Sequence, residues 1–303
     1  MVGIALLLAG VLALAATGCD RSSAGPLSQA VLLADKGRSA EALRLIEQHL
    51  TENPSAVAER RLAVRLAGAV GDLGRARMHA TELERRLGPT SPIPLLELGH
   101  AFELAHRYDE ALLAYDRAAL VAPEDAAGPR TGGFRAAAWG ELELAEPRLS
   151  EAVRRNPNDA RAWHALGVVR ARLGRLDAAE AAYTSGLAAD PDDVDNRVGL
   201  ATVSLLRDDP AGVLREYDAL LARHPEVVDA HLGRSWALIR LARYTEAEEA
   251  LRRAESLGAD HEVVTRQREW LRRSTSMGTH ETTRSAGVGP RHPTRPPKST
   301  TSP

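Results

Sequence analysis

ARAWHALGVVRARLGRLDAAEAAYTSGLAADPDD, residues 160–193, decides the fold. Trp163, Leu166 and Gly167 open one helix, and Ala179, Tyr183 and Gly186 mark a second before Pro191. The run Gly174-Arg175-Leu176-Asp177 makes the tight turn between them, and Asp192 or Asp193 caps the next helix. Gly167 and Ala179 have almost no side chain, so the paired helices can approach to roughly 8–10 Å at that crossing. Trp163 and Tyr183 then fill the space between one pair and the next. The closing proline recurs at Pro123, Pro157, Pro191 and Pro225, 34 residues apart. A fixed period of that size marks a chain built by stacking one helix–turn–helix unit, each copy leaving an apolar face that only its neighbour covers.

Other copies follow in register. Leu95, Leu98, Gly99, Phe102, Ala111, Tyr115, Ala118 and Pro123 occupy the same places from Pro92 to Asp125. Val194 to Val227 keeps Leu200, Ala201, Val213, Tyr217 and Pro225, with Arg197 at the Trp position, and Val228 to His261 keeps Ala247, Leu251 and Ala254. Ala126 to Asp159 is weaker, because Gly128-Pro129 thins its first helix and Pro147 lies inside its second. An interior proline costs about 3 kcal/mol, so a late start or a kink is expected there. Lys36-Gly37-Arg38 and Gly71-Asp72-Leu73-Gly74 read as the turns of two more copies, one of them 35 residues long.

This pattern of Trp, Leu-Gly, small residue, aromatic and closing Pro resembles the tetratricopeptide repeat, departing from it at Arg170, where an aromatic is usual. The resemblance implies an all-α, right-handed α-solenoid of about seven repeats over residues 27–261, a protein that holds partners and is not an enzyme. Residues 262–273 carry Val263, Val264, Gln267, Trp270 and Leu271 in one stripe and read as a capping helix. Residues 274–303, with five prolines, twelve Ser or Thr and a positive balance, read as a disordered tail.

At the other end, residues 2–18 carry no charge and finish in Ala16-Thr17-Gly18, before Cys19 and Asp20. Seventeen apolar residues are short for a bilayer of about 30 Å but suit the core of an export signal. Small residues before the only cysteine of the chain resemble the lipobox of bacterial lipoproteins, in which the thiol is acylated. That resemblance implies a signal peptide at 1–18, lipidation at Cys19, a short tether at 19–26, and a body facing the periplasm or exterior of a bacterial cell envelope.

Composition fits a helical stack: 4% aromatic residues, a net charge of −2, and nothing that draws the chain to nucleic acid. No catalytic, metal or cofactor site is expected. His261-Glu262-Val263-Val264-Thr265 has Thr where a zinc helix needs its second His. Asp192, Asp193 and Asp195 lack the Gly and Glu of a calcium loop, and Gly132-Gly133 lacks the Lys that comes next in a phosphate loop.

In the resembled family the first helices line the partner-binding face. Carried over position by position, that face holds Arg61, Arg65, Arg130, Phe134, Arg161, His164, Val168, Arg172, Leu205, Trp236, Ile239 and Arg240, with Glu103, Asp195 and Asp229. Six arginines against three acids suggest a mildly basic groove for an acidic protein or peptide segment, which guanidinium holds by paired hydrogen bonds. The function expected is a membrane-anchored scaffold in secretion, pilus or polysaccharide assembly. The alternative is an accessory subunit presenting substrate to a separate envelope glycosyltransferase or peptidoglycan enzyme.

Overall fold

The computed structural model describes residues 25–286, and all regular structure among them is helical. Two compact units divide after Gly199. The first contains five helical hairpins: α1 (Pro26–Asp35) with α2 (Ser39–Glu52), α3 (Val57–Ala69) with α4 (Leu73–Leu87), α5 (Ile93–Leu104) with α6 (Tyr108–Val121), α7 (Ala127–Trp139) with α8 (Leu142–Arg155), and α9 (Ala160–Arg172) with α10 (Leu176–Ala189). Helix α11 (Val194–Leu206) begins there. The second unit takes the rest of α11, then α12 (Pro210–Leu221), α13 (Val228–Arg240), α14 (Tyr244–Ser256) and α15 (His261–Ala286). The fold class is an all-α repeat solenoid.

The turns keep the beat of the sequence. At the turn inside each hairpin backbone φ is positive, at Gly37, Gly71, His106, Gly140, Gly174, Asp208 and Ala242, every 34 residues with one step of 35, and each stands two residues before a second helix; Gly88 and Gly258, past the ends of two second helices, share the sign. Glycine enters this left-handed region without penalty, whereas another L-residue loses roughly 1–2 kcal/mol there. Ala242, at φ 56°, has no polar side chain to compensate. Ala242→Gly is therefore expected to raise stability by about 1 kcal/mol, read as a higher urea midpoint at unchanged slope.

Small residues set the crossings. A Cβ placed on Gly68 would overlap the Ala101 backbone, so α3 and α5 touch main chain to main chain. Tyr183 lies between Gly167 of its own hairpin and Gly199 of α11, and a side chain on either glycine would strike the ring. The apolar cores behind these crossings are built from alanine and leucine, for example Ala63, Leu66, Ala67 and Leu83 in one and Ala136, Leu149, Ala162 and Leu166 in another. The Trp position of the repeat has a second duty. Trp163 donates Nε1–H to the carbonyl of Pro157 at 2.8 Å. Arg60 donates to Pro54 at 3.0 Å, and His231 pairs through Nε2 with the Pro225 carbonyl at 2.9 Å. Each reaches the closing proline six residues back, so a polar replacement of the indole keeps the bond that ties the loop to the helix.

Two expectations need correction. Helix α8 starts on the beat at Leu142 and runs unbroken through Pro147, so the late start does not occur. The carbonyl that proline leaves without its usual donor is Glu143's, in the first turn, and exposed Pro147 faces water. Helix α15 continues past Arg273 to Ala286. Thr275 and Ser276 return their hydroxyls to the carbonyls of Leu271 and Arg273 at 2.8 Å, and the hydroxyl of Tyr244 donates to the Ser274 carbonyl at 3.3 Å. Residues 1–24, with the expected signal and Cys19, and residues 287–303 of the expected tail, lie outside the described residues.

Candidate functional site

The first helices of the first unit do bring their charged residues together, but chiefly to one another. Glu97 of α5 is 1% exposed and accepts from Arg61 at 2.7 Å. Arg65, itself buried, donates to it through both Nε and Nη2, the second at 3.1 Å. His100 stands 3.7 Å from the same carboxylate. Six residues on, buried Glu103 accepts from Arg135 of α7 at 3.0 Å and from the phenol of Tyr115 at 3.0 Å. Arg130 reaches Asp159 at 2.6 Å while its guanidinium lies 4.9 Å over the Phe134 ring.

These partners stand about one repeat apart in sequence: 36 and 32 residues for Arg61 and Arg65 with Glu97, 32 for Glu103 with Arg135, and 29 for Arg130 with Asp159. The second helices do the same where Arg148 of α8 clasps Asp116 of α6 at 2.8 Å, 32 residues away. In the second unit Arg240 meets Asp208 at 2.7 Å across another 32. One period separates equivalent points on stacked hairpins, so each pair staples a repeat to the next.

The basic groove is reduced accordingly. Of its six arginines, Arg61, Arg65, Arg130 and Arg240 are neutralised by a carboxylate. Arg161 and Arg172 remain, exposed at the two ends of α9 and without a carboxylate partner among the described residues. Ile239 is buried, and half-buried Trp236 packs on the core of the second unit, 6.4 Å from the Trp270 ring and beneath the Arg240 guanidinium at 5.3 Å. Phe134 and His164 are half-buried, the latter against the Tyr183 ring at 5.8 Å. What the first unit offers on this face is a corrugated wall of satisfied ion pairs with two exposed guanidiniums.

Sequence reading missed Glu97, although an acid one period beyond two arginines is the signal that finds it. It also missed the polar knot beneath α3. There His79, 4% exposed, has Nδ1 3.5 Å from the Arg60 guanidinium and Nε2 3.3 Å from Glu47. A guanidinium can only donate, so Nδ1 accepts and the proton sits on Nε2.

Acid should unfasten both places in turn. Burial, with help from Arg60 and Arg75 and against the pull of Glu47, holds the imidazole of His79 below its usual 6.5. As pH falls below 6.5 the unfolded chain takes that proton first, so stability declines. Burial alone would raise the carboxyl of Glu97, but His100 and Arg65 outweigh it and hold it at about 2 against the usual 4.5. Its contribution is complete above pH 4.5 and is lost as pH falls towards 2. Urea midpoints from pH 8 to 3 are expected to fall in two stages, with His79→Gln removing the first and leaving the second.

Among the described residues no group of three or more His, Cys, Asp or Glu is placed to hold a metal ion. Among them no helix is long and apolar enough to cross a membrane.

Comparison with known proteins agrees with the geometry. A tetratricopeptide repeat family model matches residues 135–194 and 209–262. No curated protein sequence matches the chain. Among solved structures the chain resembles the C-terminal part of a TPR repeat-containing protein from Cytophaga hutchinsonii, with TM-score 0.60 and 12% identity over 78% of this chain and 97% of that one. It also resembles Naa15/Naa10 bound to HypK-THB, with TM-score 0.50 and 19% identity over 82% of this chain and 38% of that one. YrrB, described as a TPR protein with an unusual peptide-binding site, aligns at TM-score 0.45 and 20% identity over 61% of this chain and 95% of that one. Residues 135–194 and 209–262 are similar to tetratricopeptide repeats, and the hairpins outside them keep the same all-α design.

Proposed function

We propose that this chain is a lipid-anchored scaffold of the bacterial cell envelope that holds protein or peptide partners on its repeats and carries out no chemistry itself. The observation that carries the anchoring is the placement of Cys19, the only cysteine of the chain, after Ala16-Thr17-Gly18 at the end of an uncharged run of seventeen residues. Acyl chains contribute about 0.8 kcal/mol per buried methylene, so more than one on a single cysteine holds a protein at a bilayer. Repeats supply the rest: stacked hairpins expose long rows of side chains on rigid helices, a surface suited to a macromolecule more than to a small substrate.

The anchor is tested by expressing the chain in a bacterial host and separating membranes from soluble fractions. The native protein is expected in the membrane fraction with the mass of a diacylglyceryl group on Cys19, and Cys19→Ala is expected to lack that mass. A variant that keeps the lipid mass, or a native protein that never acquires it, would contradict the anchor. Scaffolding is tested on the soluble repeat body, which is expected to bind partners and to turn over no envelope glycan or peptide substrate.

A further inference from the structure

A groove of about 380 Å³ lies in the first unit on the side of the second helices, walled by α4 and α6 and floored by α5. Its floor is apolar, with Leu95, Leu98 and Phe102. On the α6 wall Leu113 is 61% exposed and leaves hydrocarbon in water at the edge of the apolar floor. Arg77 on one wall and Arg117 on the other are exposed, and neither pairs with a carboxylate among the described residues. The Arg77 guanidinium instead lies 5.4 Å over the Phe102 ring.

The contrast with the rest of the unit is chemical. On the first-helix face most arginines have a carboxylate within hydrogen-bond reach, whereas here two guanidiniums flank exposed hydrocarbon with their charge unanswered. The lining acids do not alter this. Glu110 is held by Arg107, which leaves exposed Glu84 against Arg77 and Arg117 and a balance of one positive charge. Resting on the scaffold reading above, we infer that this groove docks a short acidic segment of a partner protein, with one Leu, Ile or Phe seated on the Leu95–Leu98–Phe102 floor and a carboxylate bridged by Arg77 and Arg117. A guanidinium offers two parallel donors to a carboxylate, so two of them across a groove fix both the position and the direction of the segment. The raised walls favour a narrow peptide over a flat bilayer, which would meet Leu113 but could not reach the floor.

The test uses displayed random dodecapeptides selected on the immobilised full chain, then anisotropy titration of one enriched peptide carrying fluorescein. Enriched sequences are expected to combine Asp or Glu with Leu, Ile or Phe. The double variant Arg77→Glu/Arg117→Glu is expected to weaken binding at least tenfold, and Leu113→Lys to do the same. The same peptide with its acids changed to Lys is expected to bind the double variant better than the native chain. Peptides without acids, or binding that survives these variants and is lost on Arg161→Glu/Arg172→Glu, would overturn the groove and leave the scaffold reading standing. No enrichment at all would overturn both, and loss of phosphatidylglycerol-vesicle binding on Leu113→Lys, without selected peptides, would assign the groove to lipid instead.

Discussion

Glu97→Ala is expected to lower the stability of the protein by about 3–5 kcal/mol, a large effect for a single substitution, because it removes a buried carboxylate that two guanidiniums share. Arg65 is 5% exposed and donates to Glu97 through two nitrogens, with Arg61 leaning on the same carboxylate. Equilibrium unfolding in urea checks the size of the loss. A compensated variant separates the charge from the contact: Arg65→Met with Glu97→Leu together should recover most of the stability, because two hydrocarbon side chains fill the site without a charge to solvate. If Glu97→Ala lowers the unfolding free energy by less than about 1 kcal/mol, the pair is a surface contact and does not staple α3 to α5.

Gly68→Ala is expected to destabilise, although alanine in a helix is worth up to about 1 kcal/mol more than glycine. The first atom of any side chain there overlaps the backbone of Ala101, and backbone cannot turn aside as a side chain can. The helices must part along α3 and α5, at a cost of about 1–3 kcal/mol beyond the propensity gained, and Gly68→Val should cost more still. Gly74→Ala is the control, since a methyl there meets only the Asp72 carboxylate at 3.4 Å, and it should be neutral or stabilising. Equal effects at both glycines would mean that α3 and α5 are not in main-chain contact.

The period, the helix pairs and the small residues at their crossings were legible because each is a local demand repeated in copies. Gly167 and Tyr183 recur as a pair because the ring needs a helix face without a side chain. The ion pairs were harder to read. Arg65 and Glu97 are 32 residues apart, three short of the 35-residue step between these hairpins, since a long guanidinium leans back along its helix to meet the next hairpin. Taken alone, Arg61, Arg65 and Arg130 resemble a charged surface, and only the placement of their acids shows that their charge is turned inward. The three turns without glycine, at His106, Asp208 and Ala242, were also hidden, because the stack imposes the left-handed conformation where the residue would not choose it. The exposed leucines Leu113 and Leu120 of α6 carried a signal that was available: both fall off the stripe formed by Ala111, Tyr115 and Ala118.

Hydrogen exchange measured amide by amide on the purified repeat body tests the repeat register most directly, since amides in packed helices open rarely and turn amides open often. Fast exchange is expected in short windows around residues 37, 71, 106, 140, 174, 208 and 242, each ahead of a protected second helix. Protection running through those windows, or fast windows inside the helices rather than in these turns and the loops that join one hairpin to the next, would contradict a body made of hairpins stacked in that register.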